Sequence, residues 1–356
     1  MSVTLAQSDL RTHTTASSSA SFKEDALILN GAPQDISGAR TQACLRELRS
    51  KRAALEAADP SLPKLSPLPL KIVSENNFPT AAGLASSAAG FAALVRAIAN
   101  LYQLPASPTE LSLIARQGSG SACRSLMGGY VGWRAGTAAD GSDSVAFEVA
   151  PASHWPGIRA VILVVSAEKK GVSSTTGMQT TVATSSLFPA RADKVVPERM
   201  QKMEAAIGAR DFPAFAEITM RDSNSFHATC ADTWPPIFYM NDVSRAAIRA
   251  VEAINAKAGL LVAAYTFDAG PNAVIYYLDE VETEVAGVFK SFLGDIDGWA
   301  GERGSKIQTA TQHSIDEKTV KALQEGVGRV ILTGVGEGPI SVNDHLVDDN
   351  GEAVLR

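Results

Sequence analysis

The sequence is short of cysteine, of long apolar runs and of surplus positive charge. Its three cysteines, Cys44, Cys123 and Cys230, are odd in number and widely spaced. They exclude a disulfide framework and point to a reducing compartment, with the cytosol as the default. No apolar stretch approaches the roughly 20 residues needed to span a bilayer. The opening "MSVTLAQSDLRTHTT" has neither a signal-peptide core nor Arg-rich transit character. Against 38 Asp and Glu stand 32 Lys and Arg, a net charge of −6, so no nucleic-acid or membrane partner is expected. An anionic ligand would need local cations or backbone amides. The motifs G-x-G-x-x-G, Walker A, C-x-x-C and H-E-x-x-H are missing too, which leaves a dinucleotide site and structural zinc unsupported.

What is present is an ordinary globular composition, 45% hydrophobic and 20% charged over 356 residues. That length exceeds one typical core, so two domains are expected. The boundary falls at the "ASHWPG" linker, residues 152–157. Residues 1–30 read as extended segments, with a turn at "LNGAP" (29–33). Residues 37–58 have helical periodicity and stop before Pro60 and Pro63, and "PLKIVSEN" (69–76) reads as a strand. "SPTELSLIARQG" (107–118) is a capped helix, with Ser107 as N-cap, Pro108 at the first position and Glu110 completing a capping box. Past the linker, "IRAVILVVS" is a buried strand. Helices are expected at 174–184, 194–208, 211–227, 242–257 and 280–292, and strands at 260–267, 273–278 and 328–333. The alternation reads as α+β or α/β.

"PTAAGLASSAAGFAAL" opens a helix with small residues, among them Ala82, Gly83, Leu84, Ala85, Ser86 and Ser87. A helix N-terminus offers unpaired amides and a positive dipole end, and small side chains let a triphosphate approach. The serine hydroxyls add donors or meet a magnesium ion. The same composition suits a tightly packed core helix, so both readings stand. "GSGSACRS" (118–125) surrounds Arg124 with Ser119 and Ser121. The planar fork of Arg124 suits a carboxylate or phosphate, or it pairs with a surface acid. Cys123 beside it is a thiol nucleophile or a buried small hydrophobe. "AYTFDAGPNAVIYY" puts Asp268 at the end of an apolar strand, as a poised base or as a turn aspartate. "EKKGVSSTTGM" sets Lys169 and Lys170 before Ser173 and Ser174, an anion-binding helix start or a routine N-cap, with Met178 at its end. His227 and Cys230 share a helix without the partners a metal site requires, so a packed histidine is expected.

Together with "DSNSFHATC", "PPIFYMNDVSR" and "RVILTGVGEGP", these stretches make the chain similar to the diphosphomevalonate decarboxylases in their fungal-like form. That family belongs to the GHMP small-molecule kinase superfamily, and the resemblance covers effectively the whole chain. It implies a two-lobed α+β fold, with a ribosomal-S5-like N-terminal lobe (1–156), a ferredoxin-like C-terminal lobe (157–356) and the active site in the cleft. It implies ATP-dependent decarboxylation of mevalonate 5-diphosphate to isopentenyl diphosphate in isoprenoid and sterol biosynthesis, with ATP and Mg2+, by a cytoplasmic homodimer. Residue by residue, the loop with Ser86 and Ser87 matches the family's phosphate-binding loop, Ser87 being a candidate magnesium ligand. Ser119, Ser121 and Arg124 match residues that hold the substrate's diphosphate and carboxylate. Ser173, Ser174 and Met178 match a segment near the diphosphate, and Asp268 matches the catalytic aspartate at the tertiary 3-hydroxyl.

The family pattern carries a first strand, a lysine- and tyrosine-bearing segment and a substrate loop ahead of the position where "SVTLA" stands here. The expectation is therefore an N-terminal lobe short of one strand, through a shortened gene model, an alternative start or a weakened protein. Two other readings accompany the decarboxylase: a kinase of the same superfamily that leaves its phosphorylated product intact, and a non-catalytic remnant.

Overall fold

Short extended stretches begin the chain, β1 (Ser2–Val3) and β2 (Thr12–Ser18). β3 (Ala26–Leu29) and β4 (Ala32–Gln34) then form a hairpin whose turn, Asn30 and Gly31, has positive φ at both residues, 48° and 77°. Asn-Gly is the pair that tolerates this conformation most readily, which is why "LNGAP" turns. α1 (Ala39–Ala58) buries Cys44, Leu45, Leu48, Arg52 and Glu56 along one face. The charged pair among them is satisfied: Arg52 Nε donates to Glu56 Oε1 at 2.8 Å, and the arginine's other nitrogens donate to the carbonyls of Tyr102 and Pro63. β5 (Leu70–Asn76) completes a sheet ordered β2-β5-β3-β4, antiparallel to β2 and parallel to β3.

The structure, a computed structural model, describes residues 1–78, 84–165 and 172–354. α2 (Ser86–Leu101) and α3 (Pro108–Gly118) pack with α1 and β5 around a core that includes Leu45, Ile72, Val95, Ile98 and Ile114. The capping box of α3 forms as its sequence dictates: Ser107 Oγ accepts from the Glu110 N–H, and Glu110 Oε2 accepts from the Ser107 N–H at 2.7 Å. A 3₁₀ segment, Gly120–Leu126, leads into β6 (Tyr130–Trp133) and β7 (Ala146–Ala150). With β1 at one edge they make a second sheet, β1-β6-β7.

β8 (Ile158–Val164) begins the next unit, followed by α4 (Ser174–Thr184), the short α5 (Phe188–Ala190), α6 (Val196–Ala209), α7 (Phe212–Ala231) and α8 (Asp242–Ala258). Then come β9 (Ala263–Thr266), β10 (Ala273–Leu278), α9 (Glu282–Leu293), α10 (Glu302–Lys306), α11 (Glu317–Gly326) and β11 (Arg329–Gly334). The strands form an antiparallel sheet ordered β11-β8-β10-β9. With helical connections after β8 and β10, that is the ferredoxin-like order the resemblance implies. Val161, Leu163, Tyr265, Ile275 and Tyr277 of the sheet meet Val251, Val285 and Phe289 of the helices in its core.

The two compact units divide between Pro151 and Ala152, and the segment from Gly336 onward rejoins the first unit. This corrects the expectation that 157–356 form one lobe. The physical reason is a backbone clasp: the Gly336 N–H donates to Thr4 O at 2.8 Å, and the Gly129 N–H donates to Gly336 O at 2.9 Å. Leu346 is then fully buried in the first unit, its N–H donating to Thr15 Oγ1 at 3.0 Å.

Candidate active site

Of the two readings of α2, the core helix is observed. Its body is core, with Ala88, Ala92, Val95 and Ile98 buried. Among the described residues no side-chain cap hydrogen bond is made at its N-cap, Ala85, which adopts the left-handed region at φ 53° and ψ 30°. A non-glycine residue there is strained by about 1–2 kcal/mol, and such strain clusters at ligand sites. The first N–H groups of a helix have no intrahelical partner, so this end suits a phosphate. Ser87 is exposed and Ser86 half-buried. Ala82 and Gly83 lie outside the described residues.

The Gly-Ser segment comes against that helix start. A Cβ on Gly118 would overlap the Phe91 ring, so only glycine lets α3 end this close to α2. Phe91 follows Ser87 by one helical turn and lies on the same face. The consequence is that Ser87 Oγ and Ser119 Oγ lie 3.4 Å apart. Ser121 and Arg124 follow on the 3₁₀ segment, both half-buried. Arg124 Nε donates to Ser2 Oγ at 2.5 Å, and its guanidinium sits 5.5 Å from the centre of the Trp133 ring. Cys123 is fully buried, and burial pushes its thiol up despite the opposing charge of Arg124. Of its two readings, the small hydrophobe is the one observed.

Asp268 belongs to the second unit, exposed between the buried Phe267 and Ala269. Its strand end is anchored from α7: the Phe267 N–H donates to Ser223 Oγ at 3.2 Å, and Asn224 bonds the Tyr265 hydroxyl at 3.0 Å. The loop after it is fixed by Ser244, whose hydroxyl donates to Pro271 O at 2.8 Å. It is fixed again by the fully buried Asn272, whose Oδ1 accepts from the Val165 N–H at 2.8 Å. "DAGPN" is therefore a rigid mount that presents one carboxylate to solvent.

Among the described residues, His227, Cys230 and Tyr239 feel that carboxylate. Burial pushes the Tyr239 phenol up to about 12, with Cys230 and then Asp268 adding to the rise. Burial pushes the Cys230 thiol up to about 11, Arg191 opposing and Asp268 adding. Burial lowers His227, against the backbone of Phe267 and the charge of Asp268. His227 packs edge-on against Phe226 and Phe267, as expected of a packed helix histidine. Tyr239 was not singled out by the sequence. Its hydroxyl fills the space a Cβ on Gly177 of α4 would need, so the aspartate's surroundings continue into α4. There Ser173 is the N-cap, accepting from the Thr176 N–H at 3.1 Å, while Met178 is 57% exposed. Lys169 and Lys170 lie outside the described residues.

Ser86, Ser87, Ser119, Ser121 and Arg124 thus sit in the first unit, and Ser173, Ser174, Met178 and Asp268 in the second. Among the described residues no group of three or more His, Cys, Asp or Glu is arranged to hold a metal ion, and no helix is long and apolar enough to cross a membrane.

Residues 160–342 match the mevalonate 5-diphosphate decarboxylase C-terminal domain, and residues 1–146 the diphosphomevalonate decarboxylase-like N-terminal domain. The chain is 68% identical to the diphosphomevalonate decarboxylase of Aspergillus fumigatus, over 99% of this chain and 89% of that one. It is 67% identical to that of Gibberella zeae, over 97% and 90%. A crystal structure of a mevalonate 5-diphosphate decarboxylase superposes with a TM-score of 0.88 at 53% identity, over 98% of this chain and 90% of that one. A relative called MDDEF, solved in complex with MVAPP, AMPPCP and magnesium, gives a TM-score of 0.70 at 29% identity, over 92% and 87%. The chain belongs to the diphosphomevalonate decarboxylase family.

Proposed function

We propose that this enzyme converts mevalonate 5-diphosphate and ATP to isopentenyl diphosphate, ADP, phosphate and carbon dioxide. The observation that carries the reading is the meeting of Ser87, in the first turn of α2, with Ser119, in the Gly-Ser segment that bears Arg124. Phosphoryl transfer requires the γ-phosphate and the acceptor hydroxyl side by side, and two serine-bearing segments that meet within one unit would supply adjoining cradles for the ATP phosphates and the substrate's diphosphate.

The α2 N-terminus and Ser87 hold the ATP phosphates in this reading, Ser119 and Ser121 the substrate's diphosphate, and Arg124 its carboxylate. Ser173 and Ser174 add contacts to the diphosphate. Asp268, on its rigid loop, takes the proton of the tertiary 3-hydroxyl as that oxygen attacks the γ-phosphorus and ADP leaves. The phosphate so installed departs with its bonding electrons. The carboxylate C–C bond then supplies the electron pair of the new double bond, and carbon dioxide is released. Ser87 and the ATP phosphates suit a magnesium ion, which when bound neutralises phosphate charge.

The assembly we propose is a homodimer in the cytoplasm, a compartment suited to the free cysteines Cys44, Cys123 and Cys230. Sedimentation of the purified chain at twice the monomer mass of 37.3 kDa is the expected result. The reaction is tested with mevalonate 5-diphosphate labelled at its carboxyl carbon. Equal yields of ADP and labelled carbon dioxide are expected. ADP without carbon dioxide would make the protein a kinase, and neither product would make it a non-catalytic relative.

A further inference from the structure

We propose that Trp133 is a positioning residue for Arg124, a π platform that fixes where the carboxylate-binding fork lies and how it is turned. The inference rests on the role given to Arg124 above and deepens it.

Three features of the first unit place the ring under the arginine. First, β1 pairs with β6 so that Ser2 stands opposite Val131. Paired residues point to the same side of a sheet, as do residues two apart on one strand, so Ser2, Val131 and Trp133 share a face. Cys123 and Met127, on either side of Arg124, pack on that face with Val131 and Trp133. Second, the indole is tied down. Its Nε1–H donates to Ser144 Oγ at 3.0 Å, and the buried Ser144 hydroxyl in turn donates to Arg134 O at 3.1 Å. Third, the segment carrying Arg124 lies tight on the ring: a Cβ on Gly120 would come within 3.1 Å of the indole.

Two of the contacts of the guanidinium constrain it in different ways. The π face 5.5 Å away attracts the positive charge and defines one side of the fork. The Ser2 hydroxyl, accepting from Nε at 2.5 Å, sets rotation within that plane. Arginine has a long side chain with much rotamer freedom to lose, and indole is the side chain whose face attracts a cation most strongly. A fork oriented before the substrate arrives meets the planar carboxylate bidentately without further ordering.

The test is steady-state kinetics with ATP and mevalonate 5-diphosphate on Trp133→Leu, Trp133→Phe, Arg124→Ala and the Trp133→Leu/Arg124→Ala double variant. Losing the π face should lower kcat/KM for mevalonate 5-diphosphate on the order of tenfold, and the weaker phenyl face by about threefold. The KM for ATP should stay within about twofold. The double variant should be no worse than Arg124→Ala, because the platform has nothing left to position. Wild-type kcat/KM in Trp133→Leu, additive losses in the double variant, or an equal rise in both KM values would overturn the inference while leaving the role of Arg124 standing. Full activity in Arg124→Ala would instead overturn that role. Should Trp133→Leu not fold, Trp133→Phe decides, and an unchanged kcat/KM in it overturns the inference.

Discussion

Ser87 Oγ and Ser119 Oγ lie 3.4 Å apart, although 32 residues separate them in the chain. The closeness depends on a missing side chain, because Phe91 of α2 occupies the space a Cβ on Gly118 would take. A core packing decision therefore sets the spacing of two polar loops.

Replacing Ser87 by alanine should raise the KM for ATP about tenfold, the cost of a hydrogen bond to a charged group. If the loops hold adjoining phosphates, Ser119→Ala should raise the KM for mevalonate 5-diphosphate by a similar factor. The Ser87→Ala/Ser119→Ala double variant should lose less than the product of the two. Gly118→Ala should disturb both KM values at once, since it pushes the helices apart. Initial-rate kinetics with each substrate varied checks all of this, and fully independent losses would separate the two cradles.

Asp268→Asn keeps the shape of the carboxylate but cannot accept the proton. Its loop is anchored through Ser223, Ser244 and Asn272 rather than through the aspartate itself, so the fold should not change. We expect kcat to fall by about 10²–10⁴, the usual contribution of a positioned base. The dissociation constant for ATP, measured by calorimetry, should stay unchanged. Turnover within tenfold of wild type would remove Asp268 from the chemistry.

Much of this was legible in local sequence, and the exceptions have physical causes. The capped helix at Ser107, the Asn30–Gly31 turn and the strand Ala273–Leu278 each carry their signal within a few residues, and each formed as read. α11 escaped because four of its ten residues are charged and only Thr319 and Leu323 are buried. β7 escaped because Ala146–Ala150 alternates too briefly to stand out. The return of the tail at Gly336 could not be read at all, since it depends on backbone bonds to Thr4 and Gly129, distant in sequence. In the candidate site, Ser87, Arg124 and Asp268 announced themselves by residue type and setting. Trp133 and Tyr239 did not, because a large aromatic in a mixed stretch reads as ordinary core until its neighbours are known.

The tail's role in stability follows from Leu346, which is fully buried and hydrogen-bonded through its N–H to Thr15. Leu346→Ala should destabilise the first unit by about 2–5 kcal/mol, the range for a leucine removed from a packed core. Ile340→Ala, at a residue 66% exposed on the same segment, should change stability by less than about 0.5 kcal/mol. Urea unfolding followed by circular dichroism separates the two. Equal midpoints would show the tail to be a passive strap.

His227 should make the second unit sensitive to mild acid. Burial holds its pKa below the ordinary 6.5, and Arg191 adds to the lowering, while the Phe267 backbone and Asp268 oppose it. Its ring is flanked by Phe226 and Phe267, and among the described residues its buried Nε2 has no hydrogen-bond partner, so a proton placed there would have little to stabilise it. The sign follows from linkage. As pH falls through 6.5 the unfolded chain takes up the proton first, so the stability this residue contributes is complete above that pH. It is lost as pH drops toward the folded-state value. The slope attributable to one such group is at most about 1.4 kcal/mol per pH unit. His227→Phe keeps a ring between the two phenylalanines and removes the titration, so its stability should fall less steeply than wild type between about pH 6.5 and 5. Denaturant unfolding at a series of pH values measures the difference, and parallel curves would show that His227 takes up its proton equally in both states.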